Sequence, residues 1–205
     1  LPETLDKPLR KKLRKWQYDS VRSTRNLAFV DVSGFTTYTE VEGDEAALEV
    51  LAAFRTLLRA IASRRTVRIA KWLGDGAMLI GLDTMSLISA VLEIEWHMVK
   101  SNAPLPIRSG VTKGEVLMLD GDDYVGRDVN LAARLCDIAH SHQTLIPTSL
   151  LSCAPTWAVA SPAGNRAIRG FLTPISLTSL VLPENMHTWP TTSASDDSTP
   201  AWSPV

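Results

Sequence analysis

Apolar side chains recur along this chain with two periods, two residues and between three and four. Over Arg25–Val32 they alternate: Leu27 and Phe29 share one face with Asp31, and Ala28, Val30 and Val32 share the other, which predicts a strand. Over Asp44–Ser63, Ala47, Val50, Leu51, Phe54, Leu57, Leu58 and Ile61 recur at helical spacing. Val67–Leu73 and Ala77–Leu82 read as strands joined by a Gly74-Asp75-Gly76 turn. Thr84–Lys100 is a second predicted helix. Ile107–Thr112 and Val116–Leu119 are predicted strands on either side of Lys113-Gly114. A third helix is predicted over Asp128–His140 and a strand over Thr144–Ile146. Ile175, Leu177, Leu180 and Leu182 mark a further apolar pattern within Ile168–Leu182. The order βαββαβ predicts an α+β fold, a ferredoxin-like sheet with helices packed on one face and extra C-terminal strands.

Charge divides the chain. The first 25 residues hold eight Lys or Arg against Glu3, Asp6 and Asp19, a local balance of +5 in a chain whose net charge is −1. The expected organisation is a basic N-terminal connector over 1–24, a folded domain over 25–182 and a disordered tail over 183–205. Within the connector, Leu9, Leu13 and Trp16 would share one face of a short helix over Leu5–Trp16. The tail is rich in Ser, Thr and Pro, and Trp189 and Trp202 would be exposed in it unless they dock. With 205 residues, 45% of them apolar, the chain can bury one sizeable core. Near-neutral charge argues against a nucleic-acid partner. Cys136 and Cys153 are too few for a disulfide framework and lack metal-ligand spacing, so both read as reduced thiols. No signal peptide is evident, and the uncharged stretch Ile138–Asn165 is broken by Pro147, Pro155 and Pro162. The expectation is a cytoplasmic domain without a membrane partner, alone or as the soluble part of a larger protein.

Three segments carry candidate chemistry. Asp31 ends an apolar strand, where an unpaired carboxylate would be costly, and is followed by Ser33-Gly34-Phe35-Thr36-Thr37. Gly34 permits a tight turn, and free amides before a helix can hold phosphate oxygens. The plainer reading makes Asp31 a turn or cap residue. Lys71 interrupts the apolar series Val67, Ile69 and Leu73, and Asp75 lies between two glycines at a hairpin tip. That tip is an ordinary turn unless the sheet brings Asp75 to Asp31. Two carboxylates together would suit Mg²⁺ or Mn²⁺. Asn130, Arg134 and Asp137 fall at i, i+4 and i+7, a polar stripe among small or apolar neighbours, which by itself reads as a solvated helix face.

These segments occur together as Phe29-Val30-Asp31-Val32-Ser33-Gly34-Phe35-Thr36, Lys71-x-x-Gly74-Asp75, Arg108-Ser109-Gly110-Val111-x-x-Gly114-Glu115-Val116 and Asp123-x-x-Gly126-x-x-Val129-Asn130-x-Ala132-x-Arg134. In this order they closely resemble the class III nucleotidyl cyclase catalytic domain, over about residues 25–182. The resemblance implies that Asp31, the Val32 backbone and Asp75 hold two divalent metal ions, Mg²⁺ or Mn²⁺. It implies that the backbone of Val32, Ser33, Gly34, Phe35 and Thr36 contacts the triphosphate. Lys71 and Asp123 match the pair that reads adenine, which fits donation to N1 and acceptance from the N6 amino group. Asn130 and Arg134 match the residues that orient the ribose and stabilise the transition state, and Arg169 is a candidate contact to the terminal phosphates. The implied activity is that of an adenylyl cyclase making cyclic AMP and pyrophosphate from ATP. The implied assembly is a head-to-tail homodimer with sites shared between subunits.

Other readings are weaker. A regulatory pseudo-cyclase would be expected to have lost part of the six-residue set. A guanylyl cyclase would usually carry Glu in place of Lys71. The Gly-Gly-Asp/Glu-Glu-Phe signature of diguanylate cyclases and the P-loop motif are both absent from the sequence.

Overall fold

The computed structural model describes residues 21–119 and 123–190. The expected helix Leu5–Trp16, Trp202 and residues 191–205 lie outside them. In chain order the elements are β1 (Val21–Val32), α1 (Phe35–Glu42), α2 (Asp44–Arg64), β2 (Val67–Leu73), β3 (Gly76–Gly81), α3 (Thr84–Lys100), β4 (Ile107–Leu119), β5 (Asp123–Val125), α4 (Arg127–Ile138), β6 (Thr144–Pro147), a 3₁₀ turn (Thr148–Cys153), β7 (Val159–Arg166) and β8 (Ile175–Val181). Among the described residues the strands form one eight-stranded sheet in the order β2-β3-β1-β4-β6-β8-β7, with β5 on β4. The β4–β6 pair is parallel and the others are antiparallel.

Alternation along β1 feeds both faces of this sheet. Ala28, Val30 and Val32 enter a core with Val50, Phe54, Leu58 and Ile61 of α2 and Leu87, Val91 and Ile94 of α3. Leu27, on the opposite face, packs with Met78, Ile80, Val116, Tyr124, Val129 and Ala132. The predicted α+β sheet is therefore present. The two helices of the βαββαβ unit share one face as expected, whereas α4 covers the other.

Several local expectations change. The strands expected on either side of Lys113-Gly114 are one continuous β4 of 13 residues. Lys113 and Gly114 pair with Asn26 and Arg25 of β1, which begins at Val21 and supplies partners along the whole length. Phe35–Glu42 forms a short helix after Gly34, whose φ of 80° lies in the left-handed region that glycine tolerates. β7 had no alternating signal because it is an exposed edge strand, where Pro162 is tolerated beside a register shift. Of the expected tail, Trp189 packs edge-on to Trp157, with ring centroids 4.8 Å apart, and lies under the Arg65 guanidinium.

Buried charges are countered within the fold. Glu93 on α3 meets Arg64 and Arg65, with Arg64 Nη2 donating to Oε1 at 2.8 Å. Glu95 meets His142 and accepts from the Ile107 amide, while burial pushes its carboxyl above the ordinary range. Both cysteines are free, and burial pushes the Cys136 thiol up to about 12. Among the described residues no helix is long and apolar enough to cross a membrane.

The closest backbone approach at any described glycine joins α4 to β4. A Cβ placed on Gly110 would lie 2.4 Å from the Ala132 carbonyl oxygen and 2.5 Å from the Cys136 amide nitrogen. Both are backbone atoms that cannot rotate away. Gly110→Ala should therefore push α4 off the sheet and cost about 1–3 kcal/mol of stability, the usual scale of overpacking. Chemical denaturation checks this, and an unchanged midpoint would mean the helix moves freely.

Candidate functional site

Asp31 is at the C-terminal end of β1, opposite Gly76 on one side and Arg108 on the other. The ladder thus places Asp75, the residue before Gly76, beside it. The proximity has an electrostatic consequence. Partial burial, then the Asp31 charge, raises the Asp75 carboxyl above its ordinary 3.8. Arg108 supplies the nearest counter-charge, with Nε 2.8 Å and Nη2 2.7 Å from Asp31 Oδ2. Arg108 belonged to the motif read in the sequence but received no role there. Its partner is set by the β1–β4 register, which the sequence does not announce.

The turn after β1 is partly spoken for. The Val32 amide donates to the Asp75 carbonyl at 3.3 Å and the Ser33 amide to the Pro106 carbonyl at 2.8 Å. The Val32 side chain is buried, so only its backbone faces the turn. The first amides of α1, from Phe35 onward, precede the first intrahelical bond, which Tyr38 makes to Gly34. Ser33 Oγ is buried without a partner.

Lys71 reaches its position through an irregularity. Ile69 pairs with Leu79 but Lys71 with Met78, so Ala70 is the extra residue of a β-bulge. The bulge turns Lys71 away from the face of Val67 and Ile69 and onto that of Arg68. The expectation that Lys71 interrupts an apolar face is therefore corrected, because it does not belong to that face. Its Nζ lies 3.4 Å from Asp123 Oδ1, and both side chains are about half exposed, at 55% and 51%.

The polar stripe of α4 is also exposed in part. Arg134 Nη1 donates to Asp137 Oδ2 at 3.0 Å, and Arg108 Nη1 donates to the Asp137 carbonyl at 3.1 Å. Asn130 is exposed one turn earlier. Arg169 is exposed on the β7–β8 connection, next to Ile168, which packs on Leu131 and Leu135 of α4. The structure thus joins Asp31 with Asp75 and Arg108, and Lys71 with Asp123. Arg134 is linked to the first group through Asp137.

Among the described residues no group of three or more His, Cys, Asp or Glu side chains is arranged to hold a metal ion. Asp31 and Asp75 nevertheless fit a hard divalent cation that takes its other oxygens from phosphates and water. The two carboxylates are close enough that the Asp31 charge, after burial, raises the Asp75 carboxyl, and hard oxygen donors at that spacing suit such an ion.

No protein-family model matches the chain. It is 31% identical over 156 residues, 76% of its length, to an uncharacterised protein of Mycobacterium tuberculosis, of which the match covers 41%. It is 30% identical over 152 residues, 70% of its length, to a pH-sensitive adenylate cyclase of the same species, of which 38% is covered. The chain thus spans about two fifths of the curated relatives it matches. The crystal structure of an adenylyl cyclase from P. aeruginosa superposes with TM-score 0.69 at 24% identity, covering 81% of this chain and 97% of that one. A guanylyl cyclase structure superposes equally, with TM-score 0.69 at 20% identity and coverage of 82% and 98%.

Replacing Arg108 tests the charge balance without reference to activity. Arg108→Met leaves two neighbouring carboxylates without their cation and should cost about 1–2 kcal/mol in chelator, the scale of charged hydrogen bonds that are partly exposed. Part of the loss should return on adding Mn²⁺, read as a thermal midpoint. Equal midpoints for variant and wild type would show that Arg108 does not balance this pair.

Proposed function

The chain has the fold of the class III adenylyl/guanylyl cyclase catalytic domain, and we propose that it cyclises ATP to 3′,5′-cyclic AMP and pyrophosphate at sites shared by two copies packed head to tail. The observation that carries the choice of nucleotide is the Lys71–Asp123 pair, 3.4 Å apart and half exposed. A lysine donor beside a carboxylate acceptor matches N1 and the N6 amino group of adenine, and by the resemblance Lys71 stands where guanylyl cyclases usually carry Glu. The fold alone does not separate the two, since it superposes equally on both kinds of cyclase.

Each group then has a task. Lys71 and Asp123 orient the base. Asn130 holds the ribose so that its 3′-hydroxyl lines up with the α-phosphorus. Arg134 leaves Asp137 to balance charge on the pentavalent phosphorus. Backbone groups from Val32 to Thr36 receive the triphosphate, with Ser33 Oγ as a further unpaired group there. Arg169 is assigned to the terminal phosphates. Asp31 and Asp75 would hold two divalent cations, Mg²⁺ or Mn²⁺, which supply acidification of the 3′-hydroxyl and neutralisation of the triphosphate. The requirement for two copies follows from the resemblance, in which one subunit gives the aspartates and the other the base-reading pair, Asn130 and Arg134.

Purified chain incubated with ATP or GTP and Mn²⁺ or Mg²⁺, with products separated by chromatography, tests this. Cyclic AMP should form from ATP in clear excess over cyclic GMP from GTP, and activity per chain should rise with protein concentration. Arg134→Ala should lower turnover by about 10²–10³, the scale of one electrostatic stabiliser. Nucleotide binding without any cyclic product at high concentration would favour a regulatory, non-catalytic module instead.

A further inference from the structure

Lys71 and Asp123 come from strands that share no ladder. Between them stand β3, β1 and β4. Lys71 is level with Phe29 of β1, whereas Asp123 is opposite Leu119, beyond the level of Val21. A flat sheet would separate them by roughly 30 Å along the strand direction. The outer end of the β1–β4 ribbon, with β5 on it, therefore curls back over the face of β3 and the middle of β1. The Lys71–Asp123 contact is too exposed to hold it there, because such pairs contribute about 0–1 kcal/mol.

Tyr124 is the anchor. Its ring is buried among Leu27, Met78, Ile80, Val116, Val129 and Ala132, in the face the hairpin covers. Its hydroxyl accepts a hydrogen bond from Arg68 Nη2, and the Arg68 guanidinium carbon lies 5.7 Å from the ring centroid. The Ala70 bulge puts Arg68 and Lys71 on one face, three residues apart on β2. At the other end of the contact, the Tyr124 amide donates to Asp123 Oδ1 at 3.1 Å and orients that carboxylate. One residue thus fixes Asp123 directly and grips the strand that carries Lys71.

We propose that the Arg68–Tyr124 contact is a specificity-positioning strut that sets the span between Lys71 and Asp123 to the width of the adenine edge. The proposal rests on the reading that this pair recognises the base. Neither strut residue touches the nucleotide; each acts through its neighbour. Loss of the strut loosens the spacing of donor and acceptor, so it erodes the choice between purines more than it erodes turnover.

Tyr124→Phe removes only the hydroxyl and keeps the buried ring. Arg68→Met removes the donor, and Arg68→Lys restores a charged donor of similar reach. The ratio of kcat/KM for ATP to that for GTP should fall about five- to tenfold in Tyr124→Phe and Arg68→Met, the scale of the net contribution of one hydrogen bond. The KM for ATP should rise by a larger factor than kcat falls, and Arg68→Lys should regain part of the ratio. An unchanged ratio in both Tyr124→Phe and Arg68→Met overturns the strut, as does a fall in kcat alone. If wild type forms no cyclic product, the catalytic reading fails, and the same variants are read by competition of ATP and GTP against a fluorescent ATP analogue. There the strut predicts a lost preference for ATP, and a preference equal to wild type overturns it. A wild type that binds both nucleotides equally overturns the strut together with the base-reading role of Lys71 and Asp123.

Discussion

The site is suspended from β1, a strand hydrogen-bonded along both edges. Its register sets Asp31 opposite Gly76 and Arg108 at once, so the carboxylate meets its counter-charge across one ladder and the two-residue β2–β3 turn carries Asp75 in beside them. Register in such a strand is strongly specified, because a slip by one residue would carry Ala28, Val30 and Val32 out of the core. The hydrophobic core of α2 and α3 thereby holds polar chemistry on the opposite face in alignment.

Charge on that face is organised as a chain. Asp31 is bound by Arg108, Arg108 reaches the Asp137 carbonyl, and the Asp137 carboxylate holds Arg134. Two residue sets proposed to serve different sites of a head-to-tail dimer are therefore connected inside one chain. In the proposed role Arg134 would exchange Asp137 for a phosphate, a replacement of one exposed anion by a more highly charged one. Exposed pairs are weak enough for that exchange to cost little. The Lys71–Asp123 pair has the same character: both partners are half solvated, and in the proposed role they would exchange one another for the edge of a base.

Rigidity is placed elsewhere. Backbone contact at Gly110 fixes α4 against β4, and Tyr124 fixes the β4–β5 hairpin over the sheet. The groups proposed to touch substrate are thus exposed tips on elements clamped by buried contacts, an arrangement that keeps them accessible while limiting their freedom.

The sequence alone determined the βαββαβ order, the two helices of the main core, the face of β1 that carries Asp31 and the motif residues proposed for the site. These follow from periods of two and 3.6, which are local properties of a chain, and from motifs only a few residues long. The tertiary structure alone decided four things. Lys113-Gly114 runs straight because β1 extends to pair with it, where the dipeptide by itself suggests a turn. Lys71 changes face because the pairing of β2 with β3 takes up an extra residue at Ala70, and nothing in Val67–Leu73 announces a bulge. Arg108 acquires a role only when a strand 77 positions away in sequence lies beside it. Asp123 meets Lys71 only because Tyr124 finds a pocket built from four other elements. Each depends on free energy shared between distant segments, and no local pattern records which partner a strand will have.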